Sequence, residues 1–479
     1  MRRAKILSTV GPASQDPATL RALVEAGSDG IRINFAHAGH EEAAPIIAQV
    51  RDLARELARP LAVLVDLQGP RVRVGPLSSP IRVVKGETYR FVPTDDTDRE
   101  TAADADSPTA GTIPTTYAGL ASSVEPGRRL LLDDGSLAFE ALGADGQALE
   151  ACALTDGVIQ AHKGINLPGV NVETPFVTDK DRRDLDFARS QHIDFVGLSF
   201  VQRARDVELA REVVGGEGLV IAKVEKDQAL KELEEIIRLS DGVMVARGDL
   251  GVELPFEEVP MVQKRIIALG QELARPVITA TQMLESMTQQ SRPTRAEVSD
   301  VAHALLDGTD VVMLSAETAV GRYPVEAVQA MDRIIRRIES QTTPRSRARR
   351  VGSERSSVQQ SSSAAISAAA VEAVERLDAS CIVTLTRSGF TARVVASQRP
   401  PVPILAVTDQ WRTYNQLSLV WGVHPLLFRG EAAYDGMRDH AKTEIRRLEL
   451  GRSGDRFVVT AGVPFHVQGT TNMMRIEQL

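Results

Sequence analysis

Short, continuous apolar runs alternate along the chain with amphipathic stretches. The runs fall at residues 5–10, 30–34, 61–65, 194–198, 219–223, 242–246, 276–280 and 310–314. None of them alternates polar with apolar, which is the pattern of parallel strands covered on both faces. Helical periodicity fills the intervals. One helix is predicted over 41–57. A second spans 179–191, where Thr178 and Asp181 have capping-box spacing with Asp in place of Glu. A third spans 293–306 and opens on a proline near its first turn. Eight such units predict a (β/α)8 TIM barrel; the rival with the same alternation is an open doubly wound sheet.

The alternation fails once, between the third and fourth runs. Residues 69–166 read as short strands and turns, for example 81–84, 89–92, 129–132 and 158–161, with an acidic, Thr-rich stretch at 94–109. About a hundred residues without helical units is domain-sized rather than loop-sized. This segment is expected to be an inserted small β-barrel domain acting as a lid, with 1–68 and 167–340 forming the catalytic barrel. Residues 341–363 are rich in Ser and Arg and read as a flexible linker or, alternatively, an interaction segment. Beyond it, 364–479 alternates again, with strands expected at 381–385, 404–407, 424–427, 457–460 and 473–477. That is a C-terminal α/β domain. There is no internal repeat beyond the β/α period.

Composition narrows the function. Lys and Arg number 56 against 64 Asp and Glu, a net charge of −8, which argues against a general nucleic-acid binder. Local basic pockets for small phosphorylated ligands stay open. The two cysteines, Cys152 and Cys381, form no CxxC pair, so neither a disulfide framework nor a zinc ribbon is expected. No run approaches the ~20 apolar residues that span a bilayer. The N-terminal residues lack the apolar core of a signal peptide. No membrane association is expected, and a reducing cytoplasm fits.

A (β/α)8 barrel keeps its reactive residues at the C-terminal ends of its strands. Those ends carry Arg32 and Asn34, Asp66, Ser199, Lys223 and Glu225, Arg247 and Asp249, Thr281, and Glu317. Any one of them alone reads equally as a cap or a rim ion pair. Residues i and i+2 of a strand point the same way, so Lys223 and Glu225 project together into the mouth. Glu225 and Asp249 come from neighbouring strand ends. Two carboxylates with open positions suit Mg²⁺ or Mn²⁺, which keep substrate oxygens and waters as further ligands. The alternative is a plain ion pair between Lys223 and one carboxylate. Glycines flank Asp249 in the turn from Ala246 to Gly251 and let backbone N–H groups approach an anion. Arg32 and Arg73 add guanidinium forks suited to phosphate. These ingredients describe phosphoryl transfer, in which positioning and charge neutralisation dominate.

The segments that carry these residues resemble the pyruvate kinase family. The resemblance rests on VIAKVEKDQAL at 220–230, DGVMVARGDLGVELP at 241–255, TATQMLESM at 279–287 and SRPTRAE at 291–297. It extends through STVGPAS at 8–14, HKGINLPG at 162–169, MLSAETA at 313–319 and a closing GTTN at 469–472. It implies transfer of the phosphoryl group of phosphoenolpyruvate to ADP, giving pyruvate and ATP. It further implies that Arg32 and Lys223 grip the phosphoryl and that Lys223 stabilises the enolate. Glu225 and Asp249 would hold the divalent ion. Gly248, Asp249 and Thr281 would bind the carboxylate side, with Thr281 relaying a proton to the enolate carbon through water. Asn34, His37, Arg73 and Lys163 match nucleotide contacts, and the family is usually a homotetramer.

The departures from the pattern are specific. Most members need K⁺. Here residues 34–37 read Asn-Phe-Ala-His, and Ala36 has no hydroxyl to offer a hard cation. Residues 66–71 read Asp-Leu-Gln-Gly-Pro-Arg, with basic Arg71 where K⁺-dependent members carry Glu. Arg71 is expected to substitute for K⁺, leaving a Mg²⁺ or Mn²⁺ requirement alone; the alternative is a surface residue at the hinge rim. In the C-terminal domain, Thr386, Ser388 and Thr391 lie in a loop that reads as a cradle for a phosphorylated effector or as an ordinary helix cap. A metal-dependent lyase or aldolase on a related barrel, and a catalytically silent regulator, remain as alternative functions.

Overall fold

The computed structural model describes residues 1–94, 111–170, 172, 175–216, 218–342, 361–463 and 471–479. Most of the acidic stretch at 94–109 and of the 341–363 linker, together with Gly469 and Thr470, falls outside them.

Eight parallel strands close into one barrel. They are β1 (Lys5–Thr9), β2 (Gly30–Asn34), β3 (Ala62–Asp66), β4 (Phe195–Leu198), β5 (Leu219–Val224), β6 (Gly242–Ala246), β7 (Val277–Ala280) and β8 (Val311–Leu314). β1 closes the ring by pairing with both β2 and β8. The apolar runs therefore mark a closed sheet rather than an open one. β7 starts at Val277, one residue later than the apolar run, since Pro276 has no N–H to give a neighbouring strand. The interior is filled by alternate residues, among them Leu7, Leu64, Phe195, Ile221, Met244 and Ile278. Leu419 of the C-terminal region joins this same buried cluster. The outward-facing residues pack beneath the helices, for example Ile31, Val63, Val196 and Val243 against Ile47, Leu185 and Ile266.

Two predicted helices gain defined starts. Thr178 and Asp181 form a reciprocal capping box at the head of Asp179–Ser190. The helix expected from Pro293 begins instead at Arg295, because Thr294 and Glu297 form the capping box there and leave the proline outside.

The insert builds a six-stranded sheet and a separate two-stranded one. The six-stranded sheet has Ile165–Asn166 at one edge and Thr112–Thr115 at the other. The outgoing segment joins the two edges: Arg73 bridges Gly164, and Val74 bridges Thr115. Through those bridges the sheet curls into a small barrel around its own core, which includes Phe91, Phe139 and Leu149.

The C-terminal sheet has five strands. Four run parallel and the last, Met473–Gln478, runs antiparallel beside Arg456–Ala461. It meets the barrel at the N-terminal ends of the strands. Lys5 Nζ donates to the Val423 carbonyl at 2.7 Å, and Leu61 N–H donates to Asn415 Oδ1 at 3.2 Å. No described helix is long and apolar enough to cross a membrane.

Candidate active site

The opposite ends of the barrel strands carry a connected cluster of buried charge. Arg32 sits on β2 and Asp66 ends β3, both on the inward-facing positions. Arg32 Nε donates to Asp66 Oδ2 at 2.9 Å, and its Nη1 donates to Thr9 Oγ1 at 3.2 Å. Lys223 Nζ lies 3.2 Å from the same Asp66 oxygen and 2.7 Å from Glu225 Oε1. It also donates to Ser199 Oγ at 2.8 Å. Asp66 is fully buried, and it fits because β4 offers glycine opposite it. A Cβ on Gly197 would come within 2.6 Å of Asp66 Oδ1.

These contacts set the protonation states. Burial, the largest single influence, disfavours charge on both Lys223 and Asp66, but the summed attraction of opposite charges outweighs it: Asp66 and Glu225 on the lysine, Lys223 and Arg32 on the aspartate. The Lys223 pKa is therefore raised and that of Asp66 lowered. Glu225 behaves differently. Burial pushes its carboxyl up to about 7, against the attraction of Lys223 and with repulsion from Asp249 added.

Glu225 Oε2 accepts the Phe200 N–H at 2.7 Å. Asp249 lies on the short helix Arg247–Glu253, which follows β6 directly. Its carboxylate has no hydrogen-bond or ion-pair partner among the described residues. Two carboxylates whose mutual repulsion raises a pKa are a donor set that a divalent cation relieves, so the residues fit such an ion. Among the described residues no group of three or more His, Cys, Asp and Glu side chains is placed to hold a metal. An ion here would take its remaining ligands from substrate and water.

Thr281 stands just past β7 with φ of 66°, a strained conformation for a β-branched residue. Its Oγ1 accepts the Gly248 N–H at 2.8 Å, so the Gly248 donor and the hydroxyl are already side by side. Arg247 supports this turn, donating to the Thr281 carbonyl and pairing with Asp300, each at 2.7 Å.

The remaining predicted residues lie around the rim and the insert. Asn34 Oδ1 accepts the Ala36 N–H at 3.1 Å and so folds its own loop. His37 lies nearby, its pKa lowered by partial burial and by Arg73, Arg32 and Arg71. Arg73 Nη1 donates to the His162 carbonyl at 3.0 Å, and Lys163 pairs with Asp133 at 2.8 Å. Arg71 pairs with Asp134 at 2.9 Å. In the C-terminal domain the expected phosphate cradle is internally bonded. Thr386 Oγ1 accepts the Gly389 N–H at 3.0 Å, and Thr391 shares a hydrogen bond with Thr471 at 2.8 Å. The Ser388 carbonyl accepts from Arg393 at 3.3 Å. Glu317, at the eighth strand end, is buried and accepts the Leu284 and Ser315 N–H groups at 3.0 and 2.7 Å. It braces the two loops that carry those N–H groups.

Two residues at the centre carried no assigned role in the sequence. Asp66 and Ser199 stood only among the strand-end residues, yet both touch Lys223. Their position at a barrel strand end was the available signal.

A closed parallel barrel with a buried lysine, arginine and carboxylates at its C-terminal mouth, and with a β domain inserted after its third strand, defines the class of barrel enzyme that acts on anionic substrates. Residues 1–328 match the family model described as pyruvate kinase, barrel domain, and 364–477 match pyruvate kinase, alpha/beta domain. The chain belongs to the pyruvate kinase family. It is 42% identical to pyruvate kinase 2 of Synechocystis over 99% of its own length and 79% of that protein. It is 41% identical to the pyruvate kinase of Mycobacterium tuberculosis over 100% of its own length and 98% of the other. A crystal structure of a pyruvate kinase from Cryptosporidium parvum superposes with a TM-score of 0.88 at 32% identity, covering 100% of this chain and 96% of the other. This full-length likeness sets the lyase alternative aside.

Proposed function

We propose that this chain, a kinase acting on phosphoenolpyruvate and ADP, works through the buried cluster at the barrel mouth. The observation that carries the reading is the contact of Lys223 with Asp66, Glu225 and Ser199, with Arg32 on the same aspartate. Arg32 and Lys223 bind the transferring phosphoryl. An oxygen of the ADP β-phosphate attacks phosphorus, the enol ester P–O bond breaks, and its electron pair is left on the enolate oxygen. Lys223, held fully charged by its acidic neighbours, stabilises that oxygen. Glu225 and Asp249 hold Mg²⁺ or Mn²⁺. The ion, when bound, supplies neutralisation of charge on phosphate and carboxylate oxygens. The Gly248 and Asp249 N–H groups and the Thr281 hydroxyl bind the carboxylate side, the Gly248 donor exchanging Thr281 for substrate. Thr281 relays a proton, through water, to the enolate carbon to complete pyruvate.

Asn34, His37, Arg73 and Lys163 form the nucleotide side. The last two belong to the insert, so its closure over the mouth completes that side and keeps water out. Arg71 takes the place of a monovalent cation. Ala36 and Leu67 bring no oxygen ligand from their side chains, and the Arg71 charge already acts on His37 and Arg73. The enzyme assembles as a homotetramer in the cytoplasm. A phosphorylated effector at Thr386, Ser388 and Thr391 requires the Thr386 and Thr391 hydroxyls to exchange their internal bonds for the ligand. Pyruvate formation from phosphoenolpyruvate should need ADP and should fall about a thousand-fold in Lys223→Met. Pyruvate release without ADP, or an active Lys223→Met chain, contradicts the assignment.

A further inference from the structure

Behind the two carboxylates assigned to the ion lies a second buried pair of charges. Lys226 follows Glu225 directly in sequence, and Glu253 lies four residues beyond Asp249 on the same short helix. Lys226 Nζ is ion-paired with Glu253 Oε1, and the two side chains are only 11% and 0% exposed. The same oxygen accepts from Asn166 Nδ2 at 3.4 Å. Asn166 ends the strand Ile165–Asn166, the last of the insert, where the chain returns to the barrel. Three segments therefore meet at one carboxylate: the segment after β5, the helix after β6 and the return strand of the lid.

Such a pair is a poor source of stability, because removing two charges from water costs about what their attraction returns. What it does supply is geometry. Residues four apart on a helix lie on the same face, so fixing Glu253 fixes the turn that presents Asp249. Lys226, adjoining Glu225, fixes the other carboxylate's backbone. The network is also incomplete: Asn166 Oδ1 and Glu253 Oε2 are buried without a partner among the described residues. A small cavity lined by Arg71, Ile165, Asn166, Phe200 and Lys226 adjoins them, bounded by both chain crossings into the insert.

We infer that Lys226 and Glu253 are positioning residues that set the separation of the Glu225 and Asp249 carboxylates, and that Asn166 ties the lid's return strand to the same setting. The inference rests on the reading of Glu225 and Asp249 as the ion's ligands. Anything that draws Asn166 away takes a donor from Glu253, so ion affinity and lid position are coupled.

The test is direct Mn²⁺ binding to the full chain without substrates, monitored by the electron paramagnetic resonance signal of free Mn²⁺. The double variant Lys226→Met with Glu253→Leu exchanges the pair for apolar groups, which buried sites tolerate. It is expected to melt near the native temperature yet to bind Mn²⁺ roughly ten-fold more weakly, as loss of supporting residues does. A folded double variant with native Mn²⁺ affinity overturns the inference. Native affinity in Glu225→Gln overturns instead the reading beneath it. The native chain gives a second measurement that needs no variant. Mn²⁺ alone should slow amide hydrogen exchange at residues 165–167, and protection confined to the turn around Asp249 counts against the coupling.

Discussion

Arg32 and Lys223 are held side by side by one atom, Oδ2 of Asp66, at 2.9 Å from the guanidinium Nε and 3.2 Å from the ammonium. Two cations proposed to bind a phosphoryl group repel each other while the site is empty of substrate. The aspartate at their base keeps them together and helps keep Lys223 charged. Asp66→Asn should therefore lower kcat/KM for phosphoenolpyruvate by about a hundred-fold. It should also destabilise the protein by roughly 3–5 kcal/mol, since it leaves the buried Arg32 without its carboxylate and Lys223 with Glu225 alone. Steady-state kinetics beside a thermal melt check both, and native values in either would remove Asp66 from this role.

The proposed substitution of Arg71 for K⁺ makes a simple demand. The native chain should turn over in buffer free of K⁺ and Na⁺ and gain little from added K⁺. Arg71→Gln should lose turnover in that buffer. A strict K⁺ requirement of the native chain refutes the proposal.

One turn of helix brackets the loop proposed to contact the nucleotide. Lys180 Nζ donates to the Phe35 carbonyl at 2.8 Å and pairs with Asp184 at 2.6 Å. Asp184 also binds His40 at 2.8 Å, and Asp181 Oδ1 accepts the Gly69 N–H at 3.1 Å, where the chain leaves β3 for the insert. Lys180→Met should raise KM for ADP several-fold and leave KM for phosphoenolpyruvate near its native value, because only the Asn34–His37 loop loses its anchor. Equal rises in both constants would mean the bracket serves the whole site.

Lys5 offers a pH test at the far end of the barrel. Burial, only partly offset by Asp29, lowers its pKa to about 8 from 10.5. Between those values the unfolded chain binds the proton and the folded one does not, so this contribution to stability rises with pH across that window. The melting temperature of the native protein minus that of Lys5→Met should accordingly increase from about pH 7.5 to about pH 9.5. A constant difference would show that the amine stays charged in its contact with Val423.

Much of this architecture was legible in the sequence because parallel strands covered on both faces leave continuous apolar runs. The runs at 30–34 and 242–246 coincide with β2 and β6 residue for residue. Lys223 and Glu225 were readable as neighbours from the strand period alone. Asp66 was readable as a strand end but not as a partner of Arg32 and Lys223, since that contact depends on the ring closing and on the space at Gly197. The Lys226–Glu253 pair was out of reach for the same reason: 27 residues separate its members, and only the neighbouring positions of β5 and β6 bring them together. The internal bonding of Thr386 and Thr391 also needed coordinates, because Thr471 lies 80 residues from Thr391.

Leu419 gives the barrel's base a further meaning. It is buried among the residues that fill the cylinder, although it comes from beyond the linker. A Cβ on Gly30 would stand 3.1 Å from its Cδ2, so the fit leaves no slack. The cylinder thus borrows its cork from the domain below. Severing the chain between the two and discarding the C-terminal domain would uncork a hollow, apolar base. A displacement of the lower domain would therefore be felt in the filling of the reacting one.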